Sequence, residues 1–246
     1  MERQQVKKSW LKRYGWILPV ALLLLLAAAF GAFVSVYYHA DETALGFLQS
    51  DDAVTVTETG YGWLFDGPSA DTALIFYPGA KVEETAYAPL LHALAAEGMD
   101  VCLVKMPFRL AILNGNAAEK ALRAHDYAAW YIGGHSMGGM MAAGYASEHA
   151  DAFSGVILLA AYPIKQIPDP LTELLVVGSE DQIINRKRLK EGLSFAPTNY
   201  QEHVIQGGNH GQFGSYGPQR GDGAATIPPE EQVRETVRAI VDAVGK

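Results

Sequence analysis

The run Gly133-Gly134-His135-Ser136-Met137-Gly138-Gly139 sets four glycines around one serine, directly after the apolar stretch Ala128-Ala129-Trp130-Tyr131-Ile132. Glycine is costly to order, and a chain places it where the backbone turns to positive φ or where two segments approach too closely for a side chain. Beyond the run, Ala142, Ala143 and Gly144 continue the bias toward small residues. An apolar strand that enters such a turn and leaves it as a small-residue helix restricts the fold severely, because the helix has to lie almost against the sheet. The functional question is what the serine at the centre of the turn is for.

The flanking sequence repeats the same alternation. Thr72–Tyr77 reads as a short apolar strand closed by Pro78-Gly79, and 100–105 as a buried strand. Residues 85–97 put Leu90, Leu91, Leu94 and Ala95 on one helical face, with Gly98 at the end. A weaker helix is expected over 117–129, a strand over 129–134 and the small-residue helix over 137–149. Strands follow over 154–161, 171–177 and 200–205, then a last helix over Pro229–Val244 with Pro228 and Pro229 near its start. Strands that are apolar throughout and alternate with helices predict a mostly parallel sheet covered on both faces. Residues 54–59 and 60–65 add an antiparallel pair at its edge, followed by the turn Asp66-Gly67-Pro68.

Residues 16–38 carry no charge, with leucine from Leu22 to Leu26 at their centre. About 20 apolar residues at 1.5 Å per residue cross a bilayer core. Arg3, Lys7, Lys8, Lys12 and Arg13 precede the segment against Glu2 alone, and Asp41 and Glu42 follow it. This asymmetry predicts a cytoplasmic basic N-terminus over 1–15, a transmembrane signal anchor over 16–38 and an extracytoplasmic remainder. A cleaved signal has a shorter apolar core of about 7–15 residues. Tyr38-His39-Ala40 is also a poor cleavage site, so an uncleaved anchor is expected. Residues 39–53 read as a linker and 54–246 as one domain with a sizeable core.

Residues 41–246 carry 14 basic and 26 acidic side chains, a balance of −12 that argues against nucleic acid as a partner. The one cysteine, Cys102, allows no intrachain disulfide, no cysteine cluster exists for zinc, and Cys102 reads as a core residue.

Gly134-His135-Ser136-Met137-Gly138 fits G-x-S-x-G, in which a strained strand-to-helix turn exposes a nucleophilic serine. A serine hydroxyl needs a base, and the base needs an orienting carboxylate. Parallel sheets carry active residues on loops at the carboxyl ends of strands. The strand over 171–177 is followed by Gly178-Ser179-Glu180-Asp181, and that over 200–205 by Gln206-Gly207-Gly208-Asn209-His210. Ser136, Asp181 and His210 are therefore the expected catalytic residues, with Glu180, Asp151 and Asp169 as weaker acids. His39, His92, His125, His149 and His203 lack such a position, and His135 is too close in sequence to serve Ser136.

With these three motifs, about residues 54–245 resemble the α/β-hydrolase family, specifically its small lidless members related to dienelactone hydrolases. The resemblance implies a mostly parallel eight-stranded sheet with helices on both faces, a Ser-His-Asp triad, and no metal or organic cofactor. It also implies an oxyanion hole built from the N–H of Met137 and a second N–H from the loop after the third strand, for which Ala80 is the candidate. Many members have His-Gly in that loop, where this chain has Pro78-Gly79. The serine differs from the cysteine of dienelactone hydrolases proper, so their substrate is not carried over.

Only residues 162–170 separate two strands where many relatives insert a lid, too few for a helical lid domain. The apolar loop containing Phe108 and Leu110 is a candidate acyl pocket, with ordinary packing as the equal alternative. The long loop over 211–227 supplies Gln212 as a further candidate. Arg109 and Arg220 read as solvated surface. The expectation is a membrane-anchored hydrolase of small-molecule or lipid-like carboxylic esters. An acyltransferase or peptidase/amidase on the same triad, and a non-catalytic tethered binding protein, are the alternatives.

Overall fold

The computed structural model describes residues 14–68 and 71–245, so the basic residues expected on the cytoplasmic side, up to Arg13, lie outside it. The chain divides into two units, Met1–Tyr37 and Tyr38–Lys246. In the first, helix α1 (Ile17–Ser35) spans 19 residues and buries none of them. At 1.5 Å per residue that is about 28 Å, close to the hydrocarbon thickness of a bilayer. The helix is shorter than the 16–38 span expected from charge alone, since it ends at Ser35 and Tyr38 already belongs to the second unit.

The second unit is built on a sheet whose strands, among the described residues, are β1 (Thr55–Glu58), β2 (Gly62–Asp66), β3 (Thr72–Tyr77), β4 (Asp100–Val104), β5 (Ala129–His135), β6 (Gly155–Leu159), β7 (Thr172–Gly178) and β8 (Asn199–Ile205). Their spatial order is β1-β2-β4-β3-β5-β6-β7-β8. β1 pairs antiparallel with β2, and β2 antiparallel with β4, whereas β4, β3 and β5 to β8 run parallel. Between the strands run α2 (Glu42–Gly46), α3 (Ala88–Ala96), α4 (Ala118–Ala124), α5 (Met137–Glu148) and α6 (Arg186–Gly192), and α7 (Pro229–Val244) closes the chain. This is the α/β-hydrolase fold, as expected.

Side chains alternate across a strand, and the core divides accordingly. Leu74, Phe76, Val101 and Leu103 pack with Leu90, Leu91 and Leu94 of α3 and Val237 and Ile240 of α7. Ile75, Tyr77, Cys102 and Ile132 form the other cluster with Ala118 and Ala121 of α4 and Ala142, Ala143 and Ala146 of α5. Cys102 is a core residue that accepts the Tyr61 hydroxyl proton at 3.4 Å, and burial pushes its thiol up to about 12.

Several local expectations are corrected. Residues 39–53 are no linker. Asp41 caps α2 by accepting the Ala44 N–H at 2.9 Å, and Ala44 and Val54 are buried in the body. The helix expected over 85–97 begins as a 3-10 turn, Glu84–Tyr87, and becomes α-helical only at Ala88, one residue before Pro89. The helix expected to reach 129 stops at Ala124, because β5 takes Ala129 into the sheet. Helix α6, capped by Asn185, went unread because its Arg-Lys-Arg stretch looks like loop. Gly144 faces open space and plays no part in close packing.

Glu173, the second residue of β7, is 1% exposed, and neither carboxylate oxygen finds a hydrogen-bond partner among the described residues. Burial raises it from 4.5 to about 7. Below about 4.5 it is protonated whether folded or unfolded. Between 4.5 and 7 the unfolded chain releases the proton that the native fold retains, so stability falls as pH rises. At 1.36 kcal/mol per unit the loss is roughly 3 kcal/mol and is complete above 7. Glu173→Gln is therefore expected to raise the thermal unfolding midpoint at pH 8 relative to that at pH 5, compared with the parent. A variant as pH-dependent as the parent contradicts this account.

Candidate active site

Ser136 sits between β5 and α5 with φ 53° and ψ −124°, while none of the four surrounding glycines has a positive φ. The strained conformation belongs to the serine, and the glycines serve close approach. A Cβ on Gly134 would stand 2.3 Å from the Tyr77 carbonyl oxygen, and one on Gly138 2.2 Å from the same atom. The Ser136 N–H donates to Leu159 O at 2.9 Å, which ties the turn to β6. The N–H of Met137, the first residue of α5, has no acceptor among the described residues and lies at the positive end of the helix.

His210 and Asp181 meet directly. His210 Nδ1 lies 2.8 Å from Asp181 Oδ2, and both side chains are buried. The other carboxylate oxygen, Oδ1, accepts the N–H groups of Ile183 and Ile184 at 2.8 Å each. This double acceptance fixes the carboxylate plane and leaves Oδ2 for the ring. Ser136 Oγ forms no hydrogen bond among the described residues, so the serine-to-histidine contact is not closed. Such contacts are often long before substrate is engaged. The elbow is nevertheless adjacent to the base, with the ring of His135 4.5 Å from that of His210.

Polar residues outside the motifs hold these loops. Gln232 of α7 is fully buried and clamps Asn209, accepting its N–H at 2.9 Å and donating to its carbonyl at 2.8 Å. Asp222 accepts from Gly211 N–H at 2.8 Å and from Gln182 N–H at 3.2 Å, so it ties the histidine loop to the acid loop. Tyr87 accepts the Gly79 N–H at 2.9 Å and shares a hydrogen bond with His135 Nδ1 at 2.8 Å. Burial first, and then the neighbouring His210, hold His135 well below the usual histidine value. Sequence reasoning missed Gln232 and Tyr87, because Gln232 acts on a backbone group 23 residues away and Tyr87 on a ring 48 residues away.

In the loop after β3, the Gly79 N–H is taken by Tyr87 and the Lys81 N–H by Arg109 O at 2.8 Å. The Ala80 N–H has no acceptor among the described residues. Phe108 is exposed and Leu110 is buried in the loop after β4. Gln212 donates to Ile227 O at 3.2 Å and lines a cavity of about 510 Å³ with Asp41, Asn209 and Asp222, a cavity to which Ser136, Phe108 and Leu110 do not contribute. No lid helix occurs between β6 and β7.

The alternative acids sit elsewhere. Asp169 accepts from the Thr198 N–H and hydroxyl, ahead of the amino ends of β7 and β8. Asp151 is exposed, and Glu180 takes the Ser179 hydroxyl at 2.8 Å. His92, His125 and His203 pair with Asp51, Tyr61 and Glu235, and His149 stacks on Tyr145. Among the described residues no three His, Cys, Asp or Glu side chains gather as metal ligands.

A strand-elbow-helix serine and an acid–histidine pair on later strands define an α/β hydrolase. Residues 73–234 match the alpha/beta hydrolase family, and the chain belongs to it. No curated protein matches the chain in sequence. Among solved structures it is similar to a predicted CIB-like hydrolase from Thermoplasma acidophilum, with 19% identity over 77% of this chain and 100% of that one and a TM-score of 0.56. It is similar to Est1E from Butyrivibrio proteoclasticus, with 13% identity over 79% and 100% and a TM-score of 0.54. CarC, a serine hydrolase involved in carbazole degradation, aligns with 11% identity over 76% and 99% and a TM-score of 0.55. At these identities the likeness is one of fold.

Gln232→Leu keeps volume but strands both backbone groups of Asn209. It is expected to cost about 1–3 kcal/mol of stability, read as a lower thermal unfolding midpoint. An unchanged midpoint means the clamp is dispensable.

Proposed function

We propose that the protein is a membrane-anchored serine hydrolase that cleaves carboxylic esters through an acyl-enzyme. The observation that carries this reading is the buried His210–Asp181 contact at 2.8 Å, on the loops that follow β8 and β7, beside a serine held at φ 53°. Ser136 Oγ attacks the acyl carbonyl while His210 Nε2 takes its proton. Asp181 keeps the ring's Nδ1–H oriented and stabilises the imidazolium. The N–H groups of Met137 and Ala80 receive the oxyanion, which favours the transition state over the planar ester. Collapse expels the alcohol, protonated by His210, and leaves the acyl group on Ser136. Water then attacks with His210 again as base, releasing the acid and restoring the serine.

Two structural relatives lend this support. CarC is a serine hydrolase, and Est1E has been solved with ferulic acid bound. The uncharged 19-residue α1, preceded by five basic residues against one acidic, supports a single-pass anchor with a cytoplasmic N-terminus and an extracytoplasmic body.

A fluorophosphonate probe is expected to label Ser136, identified by mass spectrometry, and Ser136→Ala is expected to abolish labelling and turnover with folding intact. A fully active Ser136→Ala sinks the nucleophile assignment. Asp181→Asn permits the wrong imidazole tautomer and is expected to lower kcat by about 10³–10⁴-fold. Asp169→Asn is expected to leave kcat near the parent value, and a larger effect there identifies a different acid.

A further inference from the structure

The way the chain enters the folded body bears on where substrate comes from. Tyr38, three residues past the end of α1, adds a bridge beside Val82. Its N–H donates to Lys81 O at 2.7 Å and its carbonyl accepts the Glu83 N–H at 2.9 Å. Its ring lies 5.4 Å from that of Tyr216, and its hydroxyl accepts the Arg220 N–H at 3.0 Å. The Asp41 N–H donates to Ser215 O at 3.0 Å. All these partners lie on the loops after β3 and β8, on the carboxyl edge that carries Ser136 and His210. Three peptide steps span about 11 Å at most. A long linker would let the body turn any face to a membrane, but here only Val36 and Tyr37 intervene.

Lys81 extends the tie to the next loop, since its N–H donates to Arg109 O at 2.8 Å. There Leu110 and Ala111 are 7% and 0% exposed and root the loop, while Phe108, Ile112 and Leu113 stand 54%, 61% and 50% exposed. Ile112 and Leu113, two large apolar side chains exposed side by side on a rooted loop beside the point of attachment, mark a surface that meets something apolar.

We propose that this edge is held against the bilayer, with Ile112 and Leu113 entering its interface, and that the substrate is a lipid acyl ester reaching Ser136 from the membrane. The proposal rests on the anchor and ester-hydrolase readings above, and the lipid surface is its one occupant.

The test uses the full chain in phosphatidylcholine vesicles containing brominated lipid. An environment-sensitive fluorophore is placed by Ile112→Cys or, ahead of the amino end of β5, by Asp126→Cys, while buried Cys102 is left unlabelled. Bromine is expected to quench the label at 112 and not that at 126. The double variant Ile112→Asp/Leu113→Asp is expected to keep kcat/KM on a water-soluble short-chain ester. On a long-chain ester embedded in the vesicles it is expected to lose about tenfold or more. Vesicle-retained, fluorophosphonate-reactive protein with equal quenching at both sites overturns the proposal and leaves the hydrolase reading standing. A label at 112 shielded from water but not quenched overturns it in favour of a protein partner. Failure to remain with washed vesicles removes the anchor, and the proposal with it. Loss of fluorophosphonate labelling strikes the ester-hydrolase reading and the substrate half of the proposal, while the quenching still reports the edge.

Discussion

Three segments meet at the carbonyl oxygen of Tyr77, the last residue of β3. β5 reaches it through Gly134 and α5 through Gly138, each so close that a Cβ would lie little more than 2 Å away. Only hydrogen fits in either place. This contact brings the first turn of α5 beside the loop after β3, and with it the N–H groups of Met137 and Ala80, which have no acceptor among the described residues. The side chain of Tyr77 extends the connection on the other face. Its hydroxyl donates to Gly115 O at 2.7 Å and accepts the Ala118 N–H at 2.8 Å, fixing the start of α4. A methyl group added at either glycine has no route to relaxation that leaves the serine turn where it is.

The carboxyl edge is positioned by two different means. Among the described residues, the non-glycine positions with positive φ are Lys81, Phe108, Arg109, Ser136 and Ala160, and they follow β3, β4, β5 and β6. Such conformations cost about 1–3 kcal/mol each and persist only where surrounding structure dictates them. Here the buried central strands do so. Asp181 and His210, on the loops after β7 and β8, are held without strain. Asp181 is fixed by two backbone N–H groups, and the loop of His210 by the Gln232 amide and the Asp222 carboxylate. A nucleophile requires one unusual backbone angle, whereas an acid–base pair requires an orientation, and hydrogen bonds supply that more cheaply.

How much of this was legible in the sequence follows from the range of the forces involved. The strands and the order Ser136, Asp181, His210 were readable, because periodicity and turn chemistry are local. So was the antiparallel pair at the sheet edge. The strand order, in which β4 lies between β2 and β3, depends on contacts between distant segments and left no local mark. Gln232 is a single polar residue in an amphipathic helix, and nothing nearby distinguishes it from a surface glutamine. The segment 39–53 looked like a linker because its composition is polar. What folds it is the pairing of Tyr38 with the loop after β3 and the burial of Ala44 and Val54, both tertiary effects. The strained turn at Ser136 and the close approach at Gly134 and Gly138 were both readable from the G-x-S-x-G pattern, because both are local to the turn.

The neighbourhood of the base depends on one phenol. Two imidazoles 4.5 Å apart cannot both carry charge at little cost in a buried site. Burial first, and then the neighbouring ring, hold His135 neutral. The Tyr87 oxygen accepts the Gly79 N–H and shares a second hydrogen bond with His135 Nδ1, which fixes the plane of that ring. His210 has the opposite surroundings, with a carboxylate at its Nδ1 and Nε2 available toward the elbow. In the proposed mechanism the positive charge that forms during attack therefore resides on the ring facing Asp181. The same phenol anchors Gly79, next to the Ala80 N–H, so a single buried hydroxyl links the loop after β3 to the residue that precedes Ser136.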